Sequence, residues 1–441
     1  MGIQVRAGLG AAMAAALLLI SACGEANPGD DGVTDEAGAE EPTESAPAPE
    51  LPAFDPPTKF DAAAPAAMPA EASDSKVSIG GTNILPLPVA LSGTTAFVAS
   101  VNRLQVVDAI TGEVLTTVEP ELAAANQPGI GVFVGSNPTE APLVAEVDGT
   151  AMVLVPFVVD REAAGTEAPG RALELIAVDA ATFEPAFTAT IDLADWADDS
   201  YNSVNAVALA HSEGVVAVEV SGGGSQTIGI DLATREAVWT RDFGVDVVAG
   251  DTLVGWPVQG STGIEEGIAG LSVKDGEPKW QGNMDYDGHG LKPAGPKFFV
   301  SIKDETLSYT EDVFNIVDAA TGTVVDSGVG DYALIDCLYD GAETTTCFRR
   351  GEDWAGAFDA ATGEWLWSLP DEAGSRIAPM VTTVWHGAVY GLTENGPVVL
   401  DARTGADLEV APGAAPYLVN EYVGIAADEA SGGVAAFPAT A

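Results

Sequence analysis

The chain has 441 residues, with 17 Lys plus Arg against 66 Asp plus Glu and a formal net charge of −49 at pH 7. So acidic a chain lacks the clustered basic face that phosphate binding requires, which excludes a nucleic-acid binder and a polybasic hold on anionic lipid. Hydrophobic residues make up 47% of it, enough for one large core or two ordinary ones, and 50 Gly and 28 Pro beside 19% charged residues point to short apolar strands joined by many turns, the composition of an all-β protein.

The N-terminus reads as an export signal. Arg6 supplies the positive charge, and residues 7–20 form an apolar stretch broken only by glycines, short of the roughly 20 residues a membrane-spanning helix needs. Ile20-Ser21-Ala22-Cys23 resembles the bacterial lipobox, in which a branched apolar residue and two small residues precede a lipidated cysteine. The resemblance implies a signal peptide over 1–22 and an acylated Cys23 at the mature N-terminus. Several acyl chains on one residue suffice for a stable anchor on the extracytoplasmic side of a cell membrane.

Residues 23–75 are expected to be a disordered tether. Stretches such as Glu40-Glu41-Pro42, Ala46-Pro47-Ala48-Pro49 and Asp55-Pro56-Pro57 combine proline, negative charge and few aliphatics, so they bury no core.

From residue 76 to 441 the chain repeats itself. Asp-Ala-x-Thr-Gly occurs at Asp108 to Gly112, Asp318 to Gly322, Asp359 to Gly363 and Asp401 to Gly405, with weaker copies at Asp179 and Asp231 and degenerate ones near residues 272 and 437. The copies beyond Asp231 recur every ~40–45 residues, the period of a four-stranded propeller blade. In each copy an apolar strand ends at the Asp, whose carboxylate is placed to accept backbone N–H groups in the turn, and the Gly supplies a positive φ. Tryptophan follows four residues after the Gly position at Trp239, Trp280 and Trp367, which sets the indole on a fixed face of the next strand, for packing between blades.

The resulting pattern, clearest from Ala357 to Trp367, resembles the repeat of the PQQ-type β-propellers, Ala-x-Asp-x-x-Thr-Gly-x-x-x-Trp. That resemblance implies a single all-β propeller over 76–441, commonly of eight blades; seven stays open because two units are degenerate. The last unit shows three strands, and a strand over 76–81 is expected to complete it and close the ring.

Cys337 and Cys347 flank a turn at Asp340-Gly341, as the two arms of a hairpin would, and in an oxidising compartment they are expected to form a disulfide. A metal or redox pair would want closer cysteines and further ligands. The PQQ-dependent enzymes of the resembling family use adjacent cysteines and cationic groups around the cofactor. This chain has no adjacent cysteine pair, and Arg349-Arg350 beside the disulfide are the nearest cationic candidates. No cofactor, no metal and no catalytic residue are therefore expected. His386 reads as a strand residue, the stretch Asp285 to His289 and the loop Asp192 to Asp199 around Trp196 as acidic surface turns, and Ser221 to Ser225 as an inter-strand loop.

The expected function is that of a monomeric, lipid-anchored interaction or scaffolding module with a protein partner. In lipobox and blade repeat the chain is similar to the propeller lipoprotein of the bacterial outer-membrane barrel-assembly machinery. An extracellular ligand or Ca²⁺ binder and a PQQ-dependent oxidoreductase stand as alternatives.

Overall fold

The computed structural model describes residues 51–441, apart from 74–76, 80–81, 85, 126–138, 164, 167, 199–203, 259–266, 283–288, 305–311, 331–334, 350–353, 372, 429 and 431. The signal segment, Cys23 and the first part of the expected tether lie outside the described residues.

Each Asp-terminated apolar run is the third strand of an antiparallel sheet. Eight four-stranded sheets follow one another as blades 1 to 8, over residues 89–118, 143–192, 205–241, 243–281, 289–330, 335–369, 380–409 and 418–438, with strand 1 innermost and strand 4 outermost. Blade 2 carries in addition the short pair Ala123–Ala124.

Period-two alternation explains why the blades stack. In strand 2 of blade 3, Val216, Val218 and Val220 pack with Leu173 and Leu175 of blade 2. Ala217, pointing the other way, packs with Leu253 and Leu271 of blade 4. Repetition of this two-sided burial yields one hydrophobic cluster at every seam. The last joins Val423, Ile425 and Val434 of blade 8 to Val89, Ala96 and Val98 of blade 1, so the ring closes.

The strand that completes blade 8 differs from the expectation. It is Ala66–Ala67, paired with Ala436 and Ala435, whereas Val77–Ile79 and Thr82–Ile84 form a separate hairpin. Residues 51–73, expected as tether, are packed against blades 7, 8 and 1. Phe60 is buried against Tyr390, with ring centroids 6.1 Å apart. The Lys59 and Thr58 N–H groups donate to Ala441 O, Phe60 N–H to Pro412 O, and the Tyr390 hydroxyl to Pro57 O at 2.8 Å. The backbone of the closing strand lies close against blade 1 and demands glycine there: a Cβ on Gly112 would lie 2.7 Å from Ala67 O.

The turn chemistry read from the repeat is present. One carboxylate oxygen of Asp108, Asp179, Asp231, Asp318, Asp359 and Asp401 accepts two backbone N–H groups, two and three residues on. These bonds hold the Asp179 and Asp231 carboxyls below the usual carboxylate range. Where the Gly is replaced, Phe183 and Arg235 take the positive φ, 64° each.

The recurrent tryptophans fasten neighbouring blades. Trp239 Nε1–H donates to Val273 O (3.2 Å), Trp280 to Ala319 O (2.6 Å) and Trp367 to Ala402 O (2.8 Å), in each case across the seam to the following blade. Trp280 is sandwiched between Gly270 of its own blade and the turn glycine Gly322 of the next. Cys337 and Cys347 sit directly opposite each other on strands 1 and 2 of blade 6 and are joined by a disulfide, both buried.

Candidate interaction face

An antiparallel four-stranded blade has two ends, and in this ring they differ. The connections from strand 1 to strand 2 and from strand 3 to strand 4 are all short, for example 213–214, 250–251, 386–387 and 360–364. At the opposite end lie the connections from strand 2 to strand 3 and from each blade to the next, which reach lengths such as 119–142, 193–204, 258–268 and 370–379. The first face is spent on turns that hold the blades; the second has chain to spare for recognition.

The first of these long connections is secured from beneath. Glu174, 1% exposed on strand 3 of blade 2, accepts N–H bonds from Glu121 (2.7 Å) and Leu122 (3.1 Å), and burial pushes its carboxyl up. Arg171 clamps the next, donating to Ala197 O at 2.7 Å beneath the short 3₁₀ turn Asp195–Asp198. Trp196 in that turn packs toward the core and lies over Gly224, so the Ser221 to Ser225 loop is a cover for an indole and not a phosphate cradle.

Charged side chains from four blades gather toward the ring's centre. Glu219 accepts from Ser225 Oγ at 2.8 Å, and burial, with Asp246 and Glu140 adding repulsion, pushes its carboxyl up to about 7. Asp246, on the innermost strand of blade 4, accepts from Trp256 Nε1 at 2.7 Å. Partial desolvation raises its carboxyl, with the Trp256 hydrogen bond and Lys292 of blade 5 opposing that shift. Lys292 pairs with Asp336 of blade 6 at 2.8 Å. The group was not foreseen, although Glu219 stands alone as the charged residue in the run Val215 to Val220.

This arrangement does not fit PQQ. The cofactor is a tricarboxylate, and the described inner residues offer it mainly carboxylates, with Lys292 committed to Asp336. Both cysteines of the folded part are buried in one disulfide, and Arg349 ends strand 2 of blade 6 while Arg350 lies outside the described residues. Among the described residues no three His, Cys, Asp or Glu side chains converge as a metal site; residues 285–288 lie outside them.

His386 is not within a strand, as expected, but in the turn after Met380–Trp385, with φ 39°. The reason is local: Trp385 pairs with Ala388, so His386-Gly387 form a two-residue hairpin turn with both φ positive. Asp55 accepts from Trp385 Nε1 at 3.0 Å and contacts His386 Nδ1, while His386 N–H donates to Asp340 O.

One described cleft opens beside blade 7, of about 230 Å³, lined by Arg376 and Ile377 of the connection from blade 6, Asn395 of the turn between strands 2 and 3, Val398 and Leu400 of strand 3, and Val410. It is built mostly from elements of the long-connection face.

By sequence the chain matches no family model and no curated protein. By structure it is similar to the computationally designed protein Ika8 (TM-score 0.46, 12% identity, covering 79% of this chain and 95% of that one) and to a quinohemoprotein alcohol dehydrogenase from Pseudomonas putida (0.41, 13%, 80% and 74%). It is also similar to Hsv2p of Kluyveromyces lactis (0.35, 9%, 80% and 98%). With each TM-score below 0.5, the propeller assignment stands on the strand pairing of this chain itself.

Proposed function

We propose that the chain is a lipid-anchored, extracytoplasmic interaction module, held to a membrane through Cys23 and meeting a protein partner with the long-connection face of its propeller. The observation that carries the reading is the asymmetry of the two faces. Fixed turns and tryptophan docks occupy one, and the connections that vary in length and composition lie together on the other. A closed ring whose blades pack face to face is a rigid frame for such loops. On this reading the domain binds and positions, and carries no catalytic group.

Two measurements test it. Cys23→Ser is expected to move the chain from the membrane fraction to the soluble fraction. A photo-crosslinking residue at Asp195 on the long-connection face is expected to capture a partner in native membranes, while one at Glu113 on the turn face captures none. Equal capture from both positions, or a raised melting temperature on adding PQQ, would sink the reading.

A further inference from the structure

The chain meets the ring on the turn face. Phe54 N–H donates to Glu421 O, in the connection between strands 1 and 2 of blade 8. Asp55 accepts from Trp385 Nε1 and contacts His386 in the corresponding turn of blade 7. Strand 1 is the innermost of each blade, so residues 54 and 55 lie over the inner part of that face. Ala441 O, just past the turn-face end of strand 3 of blade 8, then accepts from Thr58 and Lys59 N–H.

From there the segment crosses the height of the ring along its rim. Phe60 bridges to Ala439, Ala66 pairs with Ala436 and Ala67 with Ala435, so it runs antiparallel to Gly433–Pro438 and away from the turn face. It arrives on the other side as the short 3₁₀ turn Ala70–Ser73. There Ala72 is buried, and Glu71 pairs with Arg103 beside the connection between strands 2 and 3 of blade 1. The segment is thus held at both faces, and its N-terminal end is fixed on the face opposite the long connections.

We propose that the turn face is directed toward the membrane and the long-connection face away from it, so that the partner is a protein approaching from outside that membrane and not one embedded in it. The proposal rests on the reading of Cys23 as the anchor and adds the direction in which the module points. Residues 24–50 reach at most about 95 Å, at ~3.5 Å each. Strands of 6 to 8 residues in blade 3, at ~3.3 Å per residue, make the ring about 20–25 Å high. With the turn face down, the chain runs straight from the inner part of the ring to the bilayer. With the ring inverted, it has to run outward across the turn face, pass over the rim and return beneath the opposite face, and a chain drawn out in that way gives up conformational entropy. Two independent features therefore agree: the face with connections to spare is the one the anchor does not occupy.

The test uses the full lipidated chain in phosphatidylcholine vesicles that carry an acceptor-labelled lipid, with a donor dye on a single added cysteine. Glu113→Cys marks the turn face and Asp195→Cys the long-connection face, both at exposed positions. Energy transfer gives the distance of closest approach of each dye to the bilayer. The dye at 113 is expected to lie nearer than the dye at 195 by about 10 Å or more, half the height of the ring, and Cys23→Ser is expected to abolish transfer from both. Equal distances, or the reverse order, would overturn the proposal and leave the anchor standing. Transfer from neither position, or transfer that survives Cys23→Ser, removes the anchor reading and this one with it.

Discussion

Two turn glycines in this ring share a backbone conformation and differ in what lies above them, which makes a controlled experiment. Gly322 has φ +67° and Gly363 has φ +78°, so alanine at either adds the left-handed strain of an L residue, about 1 kcal/mol. Above Gly363 the nearest atoms to a new Cβ are Ile316 Cγ2 at 3.6 Å and Val325 Cγ1 at 3.7 Å, ordinary contacts. Above Gly322 the Cβ would lie 2.5 Å from Trp280 Cε3 and 2.7 Å from Cδ2. The indole has nowhere to retreat, since Nε1–H is bonded to Ala319 O and the ring is stacked on Phe299 with centroids 6.0 Å apart. Overpacking of this kind adds about 1–3 kcal/mol. Gly363→Ala should therefore cost about 1 kcal/mol and Gly322→Ala about 3 kcal/mol, read as shifts of the urea midpoint at constant slope. In a Trp280→Ala background the clash is gone, and Gly322→Ala should then cost no more than Gly363→Ala. Equal losses in the parent background would refute the idea that indole docking, and not the turn alone, demands glycine at this position.

Three further outcomes follow from the same contacts. Glu219 is raised to about 7, so the stability tied to its protonated form is complete below its unfolded value near 4.5 and lost as pH rises through about 7, at most about 3 kcal/mol; Glu219→Gln should flatten the difference between urea midpoints at pH 5 and pH 8, and an unchanged difference would place the titration elsewhere. Replacing both Cys337 and Cys347 with alanine frees a hairpin closed at a sequence separation of 10 and should lower stability by about 2–3 kcal/mol, an effect that reduction of the parent chain must reproduce. Phe60→Ala empties a buried aromatic site next to Tyr390 and should cost about 3–5 kcal/mol, with hydrogen exchange quickening first in 418–438; uniform exchange around the ring would argue against residues 51–73 holding blade 8 shut.

What could be read from the sequence was what neighbouring residues settle among themselves. The Asp carboxylate that caps its own turn, the glycine that takes positive φ and the tryptophan a fixed distance beyond act within about ten residues, and they recur because each blade solves the same local problem. The cysteine pair was legible for the same reason, its two members being opposite on one hairpin. Repetition of such units, every ~40–45 residues beyond Asp231, implied a ring of eight blades with seven left open, and eight blades are found among the described residues.

Other features exist only once distant segments meet. Ala66–Ala67 carries no apolar pattern of its own; it closes the ring by pairing with Ala436 and Ala435 of blade 8, its backbone lying against Gly112 of blade 1. Glu219, Asp246, Lys292 and Asp336 belong to four different blades, and their mutual fields arise from curvature of the whole chain. Turn hydrogen bonds are local and leave a signature in order and spacing. Packing across a seam depends on shape and on which surfaces the closed ring brings together, so the tertiary structure alone decided the closing strand, the charged centre and the cleft.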